Sequence, residues 1–196
     1  MSRLHALTDG VYAIGMTLLV LELHVPDASS PGELVRGLAA LGPSLFSFAL
    51  SFAVLGVYWV GNAASLARQA RVDRPALLLN LLQLFFISLL PFTTAILGRY
   101  PDESAAVIVY GAHLVALGLT QYVHFAYVRR SPHLLEHPIS SRDAAAATRR
   151  IMFGPLMFLI AMAVALVSPR TGYAIYFFVL LVYIVISARD RSPVGR

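Results

Sequence analysis

Arg3-Leu4-His5-Ala6-Leu7-Thr8-Asp9-Gly10-Val11-Tyr12-Ala13-Ile14-Gly15-Met16-Thr17-Leu18-Leu19-Val20-Leu21-Glu22-Leu23 is the segment on which the reading of this chain turns. Its apolar run is brief, with Asp9 near one end, Glu22 at the other and Thr17 between them. A span so built suits a protein-lined interior or a water path better than lipid. Thr8 or Asp9 is a natural N-cap, where an oxygen meets the unpaired N–H groups and positive end of a helix. Ile14, Leu18 and Leu21 stand at i, i+4 and i+7 and share one face, and Thr17 lies beside it with a hydroxyl. Spacing alone fits an ordinary buried helix with an apolar seam equally well. The segment lacks a basic region followed by an apolar run and a small-residue cleavage site, so it reads as a span and not as a secretory signal.

The rest of the chain has the same character. Of 196 residues, 58% are hydrophobic and 13% charged, with a mean hydropathy of +0.73. Soluble domains carry roughly 25% charged residues, and so little charge cannot cover a water-facing surface of this size. Lipid must be the solvent for much of it. No long polar stretch could fold separately, so residues 1–196 are expected to form one membrane domain. The absence of cysteine excludes disulfides, Cys-ligated zinc and Cys catalysis. All 15 basic residues counted as Lys+Arg are Arg. The net charge of +5 does not indicate nucleic acid, because the arginines flank apolar segments instead of lining one surface.

A helix needs about 20 apolar residues to cross the hydrocarbon core. Six segments are expected to do so, at about 7–23, 44–64, 76–97, 105–128, 151–167 and 171–188. Pro26, Pro31 and Gly32 end the first. Residues 33–41 read either as a short helix before Gly42-Pro43 or as the early turns of the second span. Arg99-Tyr100-Pro101-Asp102 and Ser168-Pro169-Arg170 are tight turns. The longest connection, 129–150, contains a helix start over 141–150 that leads into the fifth span. Arg3, Arg68, Arg71, Arg74, Arg129, Arg130, Arg142, Arg149, Arg150, Arg189, Arg191 and Arg196 fall on one side, and Arg36, Arg99 and Arg170 on the other. This asymmetry predicts a multi-pass protein of the cell membrane with both termini cytoplasmic and an even number of spans.

Ser44, Ser47 and Ser51 are small residues three and four apart that let the second span approach a neighbour closely. Tyr173, Tyr176, Phe177, Phe178 and Tyr183 read as packing and interface aromatics. His113 and His124 are 11 apart near one helical face, too far to share a metal on a regular helix, and buried hydrogen bonding is the expectation for both. Trp59, Asn80 and Gln83 read as contacts between helices.

The opening segment resembles the signature of the bacterial potassium channels related to the endosomal and lysosomal channel called transmembrane protein 175. That family begins its first span with Arg, three residues, Phe-Ser-Asp, and then a run ending in a Thr-Leu-Leu-Val-Leu-like stretch. Here Arg3 holds the first position, Leu7-Thr8-Asp9 replaces Phe-Ser-Asp, and Thr17-Leu18-Leu19-Val20-Leu21 matches closely. The similarity continues through Tyr58-Trp59-Val60 and from Asn80 to Phe92, thus covering three spans; the last three match in hydropathy only. Relatives often carry His soon after the Trp, where this chain has Gly61-Asn62-Ala63. Asn62 is the residue placed to take over part of such a network.

The resemblance implies an all-α, six-helix subunit of a homotetramer, with the first helix of each copy lining a central pore. It implies a potassium-preferring cation channel that is not an enzyme and uses no cofactor or bound metal, with K+ as the permeant ion and with the lipid bilayer and other copies of the chain as partners. It places Ile14, Leu18 and Leu21 at an apolar constriction acting as gate and filter, with Thr17 adding hydroxyls at the same depth. Arg3, Thr8 and Asp9 would anchor the pore helix to neighbouring spans. Glu22 suits an outer mouth that draws cations and equally suits a plain charged helix end. The Thr-Val-Gly-Tyr-Gly filter of other potassium channels is absent. The competing reading is a small proton-coupled secondary transporter with Asp9 or a membrane His as relay and helix breaks at Pro91 or Pro155. No nucleophile motif, metal-ligand spacing or phosphate loop supports an enzyme.

Overall fold

The computed structural model describes residues 2–189, with side chains described through residue 182. Arg191, Arg196 and the side chain of Tyr183 lie outside the described residues. The chain forms α1 (Ser2–Leu18), a short 3-10 helix (Leu19–Glu22), α2 (Pro31–Ala40), α3 (Gly42–Leu66), α4 (Arg74–Arg99), α5 (Ser104–Arg130), a second 3-10 turn (Pro132–Leu134), α6 (Ser141–Ala165) and α7 (Pro169–Arg189). Among the described residues the only β-pairing is a bridge between Gln69 and Leu135.

Five helical stretches are long and apolar enough to cross a membrane: Ser2–Glu22, Gly42–Leu66, Arg74–Arg99, Ser104–Arg130 and Ser141–Ala165. A shorter apolar helix covers Pro169–Val182. Residues 33–40 belong to a separate helix, α2, with Leu41 as its C-cap. Ser30 caps it by accepting from the Glu33 N–H, and the Glu33 carboxylate accepts from the Ser29 N–H at 2.8 Å. Asp73 caps α4 through the Ala76 N–H, and Ser140 caps α6 through the Asp143 N–H. Neither proline breaks its helix: α4 runs through Pro91 and α6 through Pro155.

Sequential helices pack on one another, α3 on α4, α4 on α5, α5 on α6 and α6 on α7, and α1 lies across α3 and α4. Close approach depends on small residues. At Gly118 an added Cβ would collide with the Pro155 ring and stand 3.0 Å from the Tyr58 hydroxyl, so only glycine admits α6 at this distance. Ser44, Ser47 and Ser51 do more than save space. Ser44 donates to the Gly98 carbonyl, Ser47 shares a 2.7 Å hydrogen bond with Tyr173, and Ser51 bonds both Tyr110 and Thr94. Without water in the hydrocarbon, each such hydroxyl needs a partner inside the bundle.

At one end of the bundle, the α3–α4 and α5–α6 connections are tied together. Ala70 N–H donates to the Leu134 carbonyl, Glu136 N–H to the Arg68 carbonyl, and the Tyr127 hydroxyl to the Asp73 carboxylate at 2.6 Å. That hydrogen bond, helped by the Ala76 N–H and by His133 at 3.7 Å, holds the Asp73 carboxyl below the usual carboxylate range. The opposite end is closed by Arg170, whose guanidinium grips the Asp102 carboxylate at 2.6 and 3.1 Å.

Candidate functional site

The first helix has two unlike faces. Thr8, Tyr12, Gly15 and Leu19 are buried at spacings of four, three and four, a single helical stripe against α3 and α4. Ile14 lies about 200° around the helix from Tyr12, and its side chain is 59% exposed. Leu18 and Leu21 are 40% and 67% exposed, and Leu7 also is exposed. The α-helix gives way to 3-10 geometry after Leu18. In that geometry each residue advances further around the axis than in an α-helix, so Leu21 departs from the α-helical register expected from sequence. Thr17 is exposed beside this stripe and donates to the Ile14 carbonyl at 2.9 Å, which leaves its oxygen available as an acceptor. Glu22 is half-buried in the last turn.

The buried face is riveted by polar groups. Asn80 donates from Nδ2 to Thr8 Oγ1 at 3.1 Å, Gln83 from Nε2 to the Tyr12 hydroxyl at 3.2 Å, and Trp59 from Nε1 to Asp9 Oδ1 at 2.9 Å. Asn62 extends the chain by donating to Asn80 Oδ1 at 3.4 Å. Thr8 and Asp9 are therefore not caps. The helix begins at Ser2, nearly two turns earlier, and both side chains point to other helices. Arg3 is exposed and has no hydrogen bond or ion pair among the described residues. Tyr12 was not singled out in the sequence, although it sits four residues after Thr8 on the same face; its partner, Gln83, reads correctly as a contact between helices.

His113 is hydrogen-bonded as expected, to Thr93 Oγ1 at 2.7 Å and the Phe86 carbonyl at 2.8 Å. His124 is buried but has no hydrogen bond among the described residues; it borders a cavity instead. No group of three or more His, Cys, Asp or Glu placed to hold a metal occurs among the described residues.

Helices of this length and apolarity, joined by hydroxyl and amide hydrogen bonds, define a multi-pass helical membrane protein. The family described as endosomal/lysosomal potassium channel TMEM175 matches residues 3–91. A potassium channel of Streptomyces collinus is 34% identical over 185 residues, covering 92% of this chain and 90% of its own length. A potassium channel of Chamaesiphon minutus is 32% identical over 92% of this chain and 91% of its own length. The chain belongs to the TMEM175 family. The bovine endosomal/lysosomal proton channel TMEM175 is 33% identical over 132 residues, which is 61% of this chain but 28% of that longer protein. The crystal structure of a lysosomal potassium-selective channel TMEM175 homologue from Chamaesiphon minutus superposes with a TM-score of 0.84 at 29% identity, covering 95% of this chain and 97% of that one. The potassium channel MtTMEM175, in a variant crystal structure, shares the fold with a TM-score of 0.65 at 18% identity.

Proposed function

We propose that this chain is one subunit of a homotetrameric, potassium-preferring cation channel of the cell membrane. Each subunit contributes six spans, α1 and α3 to α7, with both termini cytoplasmic, and the α1 helices of the four copies line a central pore. The observation that carries this reading is the division of α1 into a face pinned to its own subunit and an apolar face bare of intrachain partners. Together with relatives named as potassium channels, it points the bare face at the pore axis.

Four copies of Ile14, Leu18 and Leu21 then form stacked apolar rings, with the Thr17 oxygens at the same depth. Such rings offer no carbonyl cage. A cation must shed or deform its hydration shell with little compensation, and potassium holds its shell less tightly than sodium or lithium. Selectivity is therefore modest, and the same constriction closes by dewetting. Thr8 and Asp9, held by Asn80 and Trp59, set the rotation of α1 and hence the bore. Glu22 follows Leu21 at the outer mouth. The channel reading is also favoured over a transporter by the continuity of α4 and α6 through Pro91 and Pro155.

The test is current across a bilayer containing purified protein, with potassium on one side and sodium on the other. Ohmic unitary steps with a reversal potential favouring potassium are expected. Slow flux that requires a proton gradient, without unitary steps, would overturn the reading.

A further inference from the structure

A cavity of about 370 Å3 lies between α3, α5 and α6 at the end of the bundle where the α3–α4 and α5–α6 connections meet. It exists because α3 packs on α4 and α7, while α6 packs on α5 and α7, which leaves a wedge between α3 and α6. Its described lining takes nothing from α1, so it is separate from the proposed pore. We infer that this wedge binds an uncharged lipophilic alcohol, with its hydroxyl between His124 and Gln121 and its hydrocarbon body against Val57, Val60, Phe125 and Ile151.

The polar half of the site is a histidine that the fold leaves without a hydrogen bond. His124 is 3% exposed and lines the cavity. The fully enclosed side-chain nitrogens and oxygens that lack a partner among the described residues belong to His5, Asn62, Gln69 and Gln83. His124 is not one of them, so its unbonded ring nitrogens open on the cavity and not on packed protein. An uncharged imidazole offers one donor and one acceptor. Gln121 stands three residues earlier, on the same face of α5, and adds an amide donor and a carbonyl acceptor. Gly61 gives that amide room, because a Cβ there would stand 2.8 Å from Gln121 Nε2 and push it. A hydroxyl donates once and accepts twice, and so answers both side chains at once. The apolar walls and the volume, within the range of small-molecule sites, suit a compact hydrocarbon body beside it. Charge selects against an ionic head. Asp143 and Arg150 are opposite in sign, Arg150 already has a partner, and Asp143 accepts from Ser140 Oγ at 2.7 Å. Arg68 is exposed and lies seven residues beyond Gly61, about 10 Å nearer the end of the bundle. A charged group held at Gln121 would lose its hydration without a counter-charge of its own.

Photolabelling of the full-length protein in lipid vesicles, with an octanol that carries a diazirine on its chain, tests this. Adducts on Val60, Phe125 and Ile151 should saturate with dose, and about a tenfold excess of plain octanol should lower them about fivefold or more. Adducts on Phe178, which is 64% exposed and outside the cavity, should rise in proportion to dose and resist displacement. Octane at the same membrane concentration has the body without the hydroxyl and should compete about fivefold less well, the worth of one hydrogen bond. His124→Phe should erase that difference between octanol and octane. Ala147→Phe, which fills the wedge and leaves every polar group in place, should remove the saturable adducts. Equal competition by octane in the wild type would reveal an apolar void that selects no hydroxyl and overturn the proposal. Adducts that never saturate would mean that water or bulk lipid fills the wedge, with the same consequence. Stronger competition by octanoate would replace the alcohol with an anion. If His124→Phe fails to assemble, the comparison of octanol with octane in the wild type decides alone. The readout is an adduct and not a current, so its failure is distinct from a failure of the channel reading.

Discussion

Trp59 and Asp9, fifty positions apart in the chain, meet through a 2.9 Å hydrogen bond from the indole N–H to the carboxylate. The bond sets the rotation of α1 against α3 at an exposed position, whereas Asn80 and Thr8 do the same in the buried interior. If the bare face of α1 lines a pore, these contacts control its bore from behind.

Asp9→Ala and Trp59→Phe should each cost about 1 kcal/mol, the usual net worth of such a bond. The double variant should cost little more than either alone, because both remove the same interaction. Thermal stability of the detergent-solubilised protein measures all three. Simple additivity of the two losses would show that the pair is not coupled.

Leu18→Ala should widen the constriction, raise unitary current and lower the preference for potassium over sodium. Leu18 is 40% exposed within the subunit, so the truncation leaves only a small cavity and the protein should remain assembled. Unchanged conductance and selectivity in single-channel recording would remove Leu18 from the constriction.

Gly118→Ala and Gly15→Ala should behave oppositely. The first drives a methyl into the Pro155 ring and should destabilise by about 1–3 kcal/mol. The second places its methyl 3.5 Å from Ile87 Cγ2, an ordinary contact, and should be neutral or stabilising by up to about 1 kcal/mol from helix propensity. Melting temperatures of the two variants check the order.

The Asp73 clamp should respond to acid. Its carboxyl is held low by the Tyr127 hydroxyl first, then by the Ala76 N–H. A depressed folded-state value means that the stabilisation is complete above the usual carboxylate range and is lost as pH falls through that range and below it. Hydrogen exchange at Ala76 and at residues 134–136 should accelerate there, and Asp73→Asn should abolish the acid-dependent part. A profile identical in wild type and variant would assign the change elsewhere.

The multi-pass character and the five long apolar helices were legible in the sequence, because insertion depends on a local quantity, the apolarity of about 20 consecutive residues. The helix start before the fifth span was legible for a similar reason: the capping contact is local, Ser140 Oγ accepting from the Asp143 N–H within one turn. Trp59, Asn80 and Gln83 could be recognised as contacts between helices, since amides and indoles in hydrocarbon need partners. Which partners they take was not legible, because the partners are supplied by α1, fifty or more residues away in all three cases.

The tertiary structure alone decided the rest. Thr8 and Asp9 have ideal capping chemistry, yet they lie inside α1, because Asn80 and Trp59 satisfy them from other helices. Pro91 and Pro155 admitted either a helix break or a packed kink, and both lie inside helices that continue through them. Most of all, α1 is apolar around much of its circumference, so periodicity could mark Ile14, Leu18 and Leu21 as one face without saying whether that face is buried. Burial is a relation between segments: Thr8, Tyr12, Gly15 and Leu19 meet α3 and α4, which leaves the other face bare.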